Sequence, residues 1–435
     1  MTIDSRLDDD PEMPDLTTSR FHRMRGTLGP GLITGASDDD PSGIATYSQA
    51  GAQYGYALTW TMLFTFPLMA AAQIVSARIG RTTGHGISGI LQRHYPNWIL
   101  AWIVLLLLFA NTINLAADLG AMADATGLLI GAPRWLLVLV YGAFCITLQI
   151  FMQYKRYVAV LKWLTLSLFA YFATVLVVQV DWGLFLTRLV VPEIRWETGY
   201  LTTIVAVFGT TISPYLFFWQ AAEEVEDFQL HPRRIDLITA PDQGRSALHR
   251  IGVDTIAGMA FSNLVSLAII VTTAATLHAS GITNIETSAQ AAEALRPIAG
   301  SFAFALFTLG IVGTGLLAVP VLAGSAAYAL GEARAWPMGL SLKPGDAQAF
   351  YGTIAAATLV GMGLCFVPVS PIKALFWAAV VNGVVAVPLM GLMMHMAARP
   401  DIMGRFAVRG PLLVLGSVAT AVMAAATTAM VWTAF

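Results

Sequence analysis

The sequence is short of charge. Of its 435 residues, 11% are Asp, Glu, Lys or Arg, whereas 57% are hydrophobic. A water-soluble chain carries about 25% charged residues, so there is too little charge here to cover a surface that meets water on all sides. Cysteine is scarce too. Cys145 and Cys365 both sit inside apolar runs, which argues against a disulfide framework and against a thiolate metal site. The net charge is −2, so there is no basic field of the kind that holds nucleic acid. No nucleophile–base motif, metalloprotease signature or phosphate-binding loop is found, and an enzyme is not expected. The N-terminal residues lack the basic start and short apolar core of a cleaved signal peptide. With Asp8, Asp9, Asp10, Glu12 and Asp15, residues 1–24 read as a disordered cytoplasmic tail.

What is abundant is the long apolar block. About 20 such residues cross the hydrocarbon core of a bilayer. Hydropathy predicts eleven spans, at 27–53, 57–79, 98–128, 134–153, 158–180, 200–222, 252–278, 300–330, 350–367, 372–397 and 409–433. The lipid bilayer is therefore the expected surrounding, with no obligatory protein partner evident. With a cytoplasmic N-terminus, 19 of the 24 Lys and Arg residues fall on the cytoplasmic side and 5 on the other. Positive charge accumulates inside, so Phe435 is expected outside. The longest cytoplasmic loop is expected over 223–251, acidic at its start (Glu223, Glu224, Glu226, Asp227).

Two spans are interrupted. The first contains Ser37-Asp38-Asp39-Asp40-Pro41-Ser42-Gly43. A carboxylate costs roughly 2.5–3.5 kcal/mol at the centre of a lipid-facing helix, and three in a row do not belong there. Pro41 cannot donate to the helix ladder and turns Asp40 away from helical geometry. An unwound stretch lining a cavity is the physical reading, because irregular backbone survives at membrane depth only there. The sixth span repeats the device in Gly209-Thr210-Thr211-Ile212-Ser213-Pro214-Tyr215. The second break lies five spans after the first, so the two fall at corresponding places in two inverted halves, the pattern of a secondary-transporter site. The expected division is 25–199 for the first repeat, 200–400 for the second and 401–435 for an eleventh helix.

The breaks offer the Asp40 carboxylate, the hydroxyls of Ser42 and Ser213, and freed carbonyls. Oxygen-only sites suit Mg²⁺, Ca²⁺ or Mn²⁺, while sulfur and imidazole draw softer metals. An organic ammonium group would also pair with Asp40, which leaves an amine or amino-acid carrier open at this point. Asp38 and Asp39 are expected along the cation's path, Asp39 in direct or water-mediated contact. Ser37, Thr210 and Asn382 are candidates for its outer lining. Asp118, an acid inside the third span, is a candidate proton carrier. Asn111 and Asn114 in the same span are explained adequately by helix-packing hydrogen bonds.

At these residues the sequence resembles the Nramp divalent-metal transporters. The likeness runs through Gly29-Pro30-Gly31, Asp40-Pro41-Ser42-Gly43-Ile44-Ala45-Thr46 and Gln49-Ala50-Gly51-Ala52-Gln53-Tyr54-Gly55-Tyr56. It implies an all-α LeuT-like fold of about eleven helices, with helices 1 and 6 unwound at mid-membrane, and transport by alternating access. In the family the metal is held by a helix-1 Asp and Asn, a helix-6 Met and nearby carbonyls. Asp40 matches that Asp. Gly43 stands where the Asn would be, and Ser213-Pro214-Tyr215 replaces Met-Pro-His. The expected metal group is therefore Asp40, Ser213, Ser42, Gly43, Asp39 and Tyr215, in a roomier site that keeps part of the ion's water. Mg²⁺ surrenders its water reluctantly, so the chain looks like the Nramp-related magnesium transporter branch. The family's proton-coupling acids align with Ala117 and Gly120, and its histidines with Tyr215 and Gln220.

The resemblance thus implies a multi-pass carrier of Mg²⁺ and Mn²⁺ in a bacterial-type inner membrane. It needs no cofactor beyond the transported ion and no obligatory proton coupling. A proton-coupled Mn²⁺/Fe²⁺ importer is the alternative. A sodium-coupled carrier of small organic cations or amino acids is the more distant one.

Overall fold

A computed structural model describes residues 30–151, 165–230 and 234–435. The expected tail, Gly29, the start of the fifth span, and Lys155, Arg156, Lys162 and Arg233 lie outside the described residues. Among the described residues the chain is helical, with no strand. The first span is two helices, α1 (Pro30–Asp38) and α2 (Pro41–Tyr54). It is followed by α3 (Thr59–Thr83), the short α4 (Ile87–His94), α5 (Asn97–Ile130) and α6 (Arg134–Phe151). After α7 (Phe169–Val177) and α8 (Trp182–Val190), the second broken span is α9 (Thr198–Thr211) and α10 (Pro214–Gln229). Then come α11 (Gly244–Thr273), α12 (Ala303–Arg334), α13 (Gln348–Leu364), α14 (Pro371–Ala398) and α15 (Pro411–Ala434). Each expected span thus has its helix, although only the end of the fifth is described.

The ends of two helices differ from expectation for one reason. α10 runs on to Gln229 and α11 begins at Gly244, so most of the loop expected over 223–251 is helix. Of the acids that made it look like a loop, Glu224 is paired across the two helices, Asp227 is paired with a base in the connection between them, and Glu226 accepts from the Tyr328 hydroxyl and the Leu340 and Ser341 amides. Arg250 of α11 pairs with Glu224, and Arg234 meets Asp227 at 2.8 Å. Hydropathy scores such residues as solvent-facing, but neutralised in pairs they extend the helices instead.

The two breaks are built alike. Asp40 is extended (φ −73°, ψ 170°) and Pro41 opens α2; Ser213 is extended (φ −76°, ψ 128°) and Pro214 opens α10. Proline suits the first helical position because its missing N–H would have no partner there. Each break is braced by a close helix crossing. A Cβ on Gly35 of α1 would lie 2.4 Å from the Gly258 carbonyl of α11, and one on Gly209 of α9 would lie 2.0 Å from the Ala379 carbonyl oxygen of α14. Small residues permit such contact between membrane helices. The periphery is apolar and exposed. On α5, Trp98, Trp102, Leu105 and Phe109 form a stripe at helical spacing, each more than half exposed. That is the face lipid covers.

Candidate metal centre

Asp40 is the hub of the first break. Its Oδ1 accepts from the Gly43 amide (2.7 Å) and the Ser42 hydroxyl (2.6 Å), capping α2. Cap bonds of this kind fix a carboxylate's direction as well as the helix start. Its Oδ2 accepts from Asn114 Nδ2 on α5 (3.0 Å) and faces the Tyr215 hydroxyl at 3.4 Å. That hydroxyl has the shorter contact with the Ser37 carbonyl, 3.1 Å. Tyr215 therefore ties the end of α1 to the start of α10 and leaves Oδ2 with one firm donor.

α5 presents a second carboxylate one helical turn beyond Asn114. Asp118 is fully buried, and neither of its oxygens has a hydrogen-bond partner. The Oδ1 of Asn114 is likewise unpartnered. Residues four apart share a helix face, so these oxygens and Asp40 Oδ2 converge where the first break meets α5. The sequence explains Asn114 by packing, whereas in the structure it holds Asp40. Its signal was present, an amide and an acid at i and i+4 in an otherwise apolar run. Asn111 does pack, donating to the Leu322 carbonyl and Ser325 hydroxyl of α12.

The remaining candidates divide. Ser213 turns its hydroxyl back onto the Gly209 (3.0 Å) and Thr210 (2.8 Å) carbonyls, closing off α9. Ser37 likewise bonds back to the Ile33 carbonyl. Thr210 stands beside Gly43 with its hydroxyl unpartnered, and both polar atoms of Asn382 are buried and unpartnered in α14. Asp38 and Asp39 turn away from Asp40. Both accept from one hydroxyl, Ser262 of α11, at 2.6 and 3.1 Å. Sequence reasoning missed Ser262, because nothing local tells which partner a carboxylate at a break will face. The expected extra room beside Gly43 is not there: a Cβ at that position would meet Thr210 Oγ1 at 3.0 Å and the Tyr47 ring at 3.2 Å. Gln220 accepts a hydrogen bond from Thr34 of α1 and serves to join the two broken spans.

The electrostatics are one-sided. Asp38, Asp39, Asp40 and Asp118 are each no more than 2% exposed. Among the described residues none of them forms an ion pair with a basic side chain. A buried charge without a partner is strongly unfavourable. Nor do three or more His, Cys, Asp or Glu side chains gather in a metal-holding group among the described residues. A cation at Asp40 would therefore complete its shell with amide, carbonyl and hydroxyl oxygens and with water. These are hard donors.

A helical membrane protein with two spans broken at mid-depth, each restarting on proline, has the LeuT-like fold. Its backbone superposes with a TM-score of 0.72 on a manganese transporter of Eremococcus coleocola, at 15% identity, over 98% of this chain and 89% of that one. A nucleobase-cation-symport-1 family transporter in a closed conformation matches with a TM-score of 0.53 at 13% identity, over 94% and 93% of the two chains. The family model described as "Natural resistance-associated macrophage protein-like" matches residues 31–433, and the chain belongs to this Nramp family. Its relatives include proteins named divalent metal cation transporter MntH. That of Burkholderia ambifaria is 27% identical over 97% of each chain. That of Deinococcus radiodurans is 28% identical over 71% of this chain and 72% of its own.

Proposed function

We propose that this protein carries divalent cations, Mg²⁺ and Mn²⁺ foremost, across the bacterial inner membrane by alternating access and without obligatory proton coupling. The observation that carries the reading is the set of buried carboxylates at the first break, which has no basic counter-charge among the described residues. Asp40 supplies the central charge. Asn114 and the Ser42–Gly43 cap aim it, and Asp118 adds a second carboxylate across from it. The preference for hard ions rests on Ser213 and Gly43, which stand where the family's Met and Asn would be. The uncoupled mode is supported by the lack of any histidine in either break. The named function of the MntH relatives favours the broader class, divalent-cation transport. The Lys and Arg distribution supports a cytoplasmic N-terminus, and the pairing of the breaks supports inverted repeats over 25–199 and 200–400 with helix 11 at 401–435.

Calorimetric titration of the purified protein with Mg²⁺, Mn²⁺ and Ca²⁺, repeated on Asp40→Ala, tests the reading. Saturable binding of Mg²⁺ and Mn²⁺ that disappears in the variant is expected. Equal binding in both proteins would remove Asp40 from the site.

A further inference from the structure

Asp38 and Asp39 turn away from the Asp40 centre toward Ser262, yet they are as deeply buried as Asp40. One serine hydroxyl serves both. It has a single hydrogen to give, so the two carboxylates share one donor. Asp38 Oδ1 and Asp39 Oδ2 have no donor at all.

Other oxygens point to the same place. Tyr47 of α2 faces both acids, with Ser266 of α11 and Thr210 of α9 beside it. The Tyr47 hydroxyl and the Thr210 Oγ1 are fully buried and make no close, well-aligned hydrogen bond, and the two side chains stand together over Gly43. Ser266 spends its hydrogen on the Ser262 carbonyl, which leaves its oxygen lone pairs free. The acids are thus set among further oxygens drawn from three helices, with no basic side chain paired to them among the described residues. Unsatisfied buried oxygens in such a number call for a ligand that accepts lone pairs.

We infer that Asp38, Asp39 and Ser262, with the Tyr47 hydroxyl, form a second cation station next to the Asp40 centre, taking a second hard divalent cation. It deepens the transport reading and rests on it. Two carboxylates balance one divalent charge, and hydroxyl oxygens suit the same ions as the first centre. The first break then holds two ions in sequence along α1 and α2. Repulsion between neighbouring ions assists release of each, as in multi-site conduction.

Electron paramagnetic resonance of the purified full chain, titrated with Mn²⁺ alone, counts the ions and senses their proximity. Two bound Mn²⁺ per chain are expected, with spectra broadened by dipolar coupling. Asp38→Asn/Asp39→Asn should retain one ion and lose the broadening. Ser262→Ala keeps both carboxylates, and should weaken the second binding step roughly tenfold, as loss of a ligand-orienting contact does. One Mn²⁺ in the wild type, lost in Asp40→Asn but unchanged in the other variants, would overturn the second station and leave the transport reading standing. No saturable Mn²⁺ in the wild type would overturn both.

Discussion

A single residue, Asp40, gathers contacts from three elements. Its own helix start supplies two donors, α5 supplies Asn114, and α10 supplies Tyr215. A carboxylate held this way is aimed before any ion arrives, which lowers the cost of organising the site. Asn114→Ala should therefore weaken Mg²⁺ binding by about 10–100-fold, the range for a lost ligand-orienting contact, while Asn111→Ala leaves affinity unchanged. Calorimetry on both variants checks this. At this scale the sequence was half legible. Asp40 declared itself by its position before Pro41, because a charge in an apolar helix is costly. The direction each neighbour faces did not, since it is set by Ser262, Asn114 and Tyr215 on distant segments. Gly43 shows the same limit: the side chain it lacks leaves no gap, because Thr210 and Tyr47 already occupy the space.

At the scale of the helix, both breaks are legible because X-Pro restarts a helix whatever surrounds it. Helix ends were less so. α10 and α11 extend through charged residues that neutralise one another, and the Glu224–Arg250 pair is the tightest of these links. Glu224 is fully buried, so removing its partner leaves a charge with no compensation. Arg250→Ala is expected to destabilise the fold toward the lower end of the roughly 3–5 kcal/mol seen for broken buried pairs, because Arg250 keeps 17% side-chain exposure. A lowered melting temperature in detergent is the readout, and Glu224→Gln combined with Arg250→Ala should recover much of the loss. A single variant that melts like the wild type would show that the pair adds nothing.

At the scale of the whole molecule, composition alone announced the membrane. Eleven apolar blocks and sparse charge leave no other solvent for stripes such as Trp98, Trp102, Leu105 and Phe109. The topology proposed from the basic residues can be tested on the protein itself. Both native cysteines are buried, so the background for thiol labelling is low. With the N-terminus inside, Lys343→Cys should react with a membrane-impermeant reagent only from the cytoplasmic side, and Lys373→Cys only from the opposite side. Labelling with the sides exchanged would invert the topology.

In the proposed alternating-access cycle, α1–α2 and α9–α10 pivot at their extended residues Asp40 and Ser213 while the Asp40 centre stays between them. The centre's oxygen donors suit Mg²⁺ and Mn²⁺, and its breaks contain no histidine to carry a proton. Uptake into proteoliposomes, followed with an internal metal indicator and an internal pH indicator together, reads both properties at once. The expected result is Mg²⁺ and Mn²⁺ uptake down their gradients, no internal acidification, and no uptake by Asp40→Ala. Acidification that tracks Mn²⁺ uptake would make the protein a proton symporter, and undiminished uptake by Asp40→Ala would place the cation elsewhere.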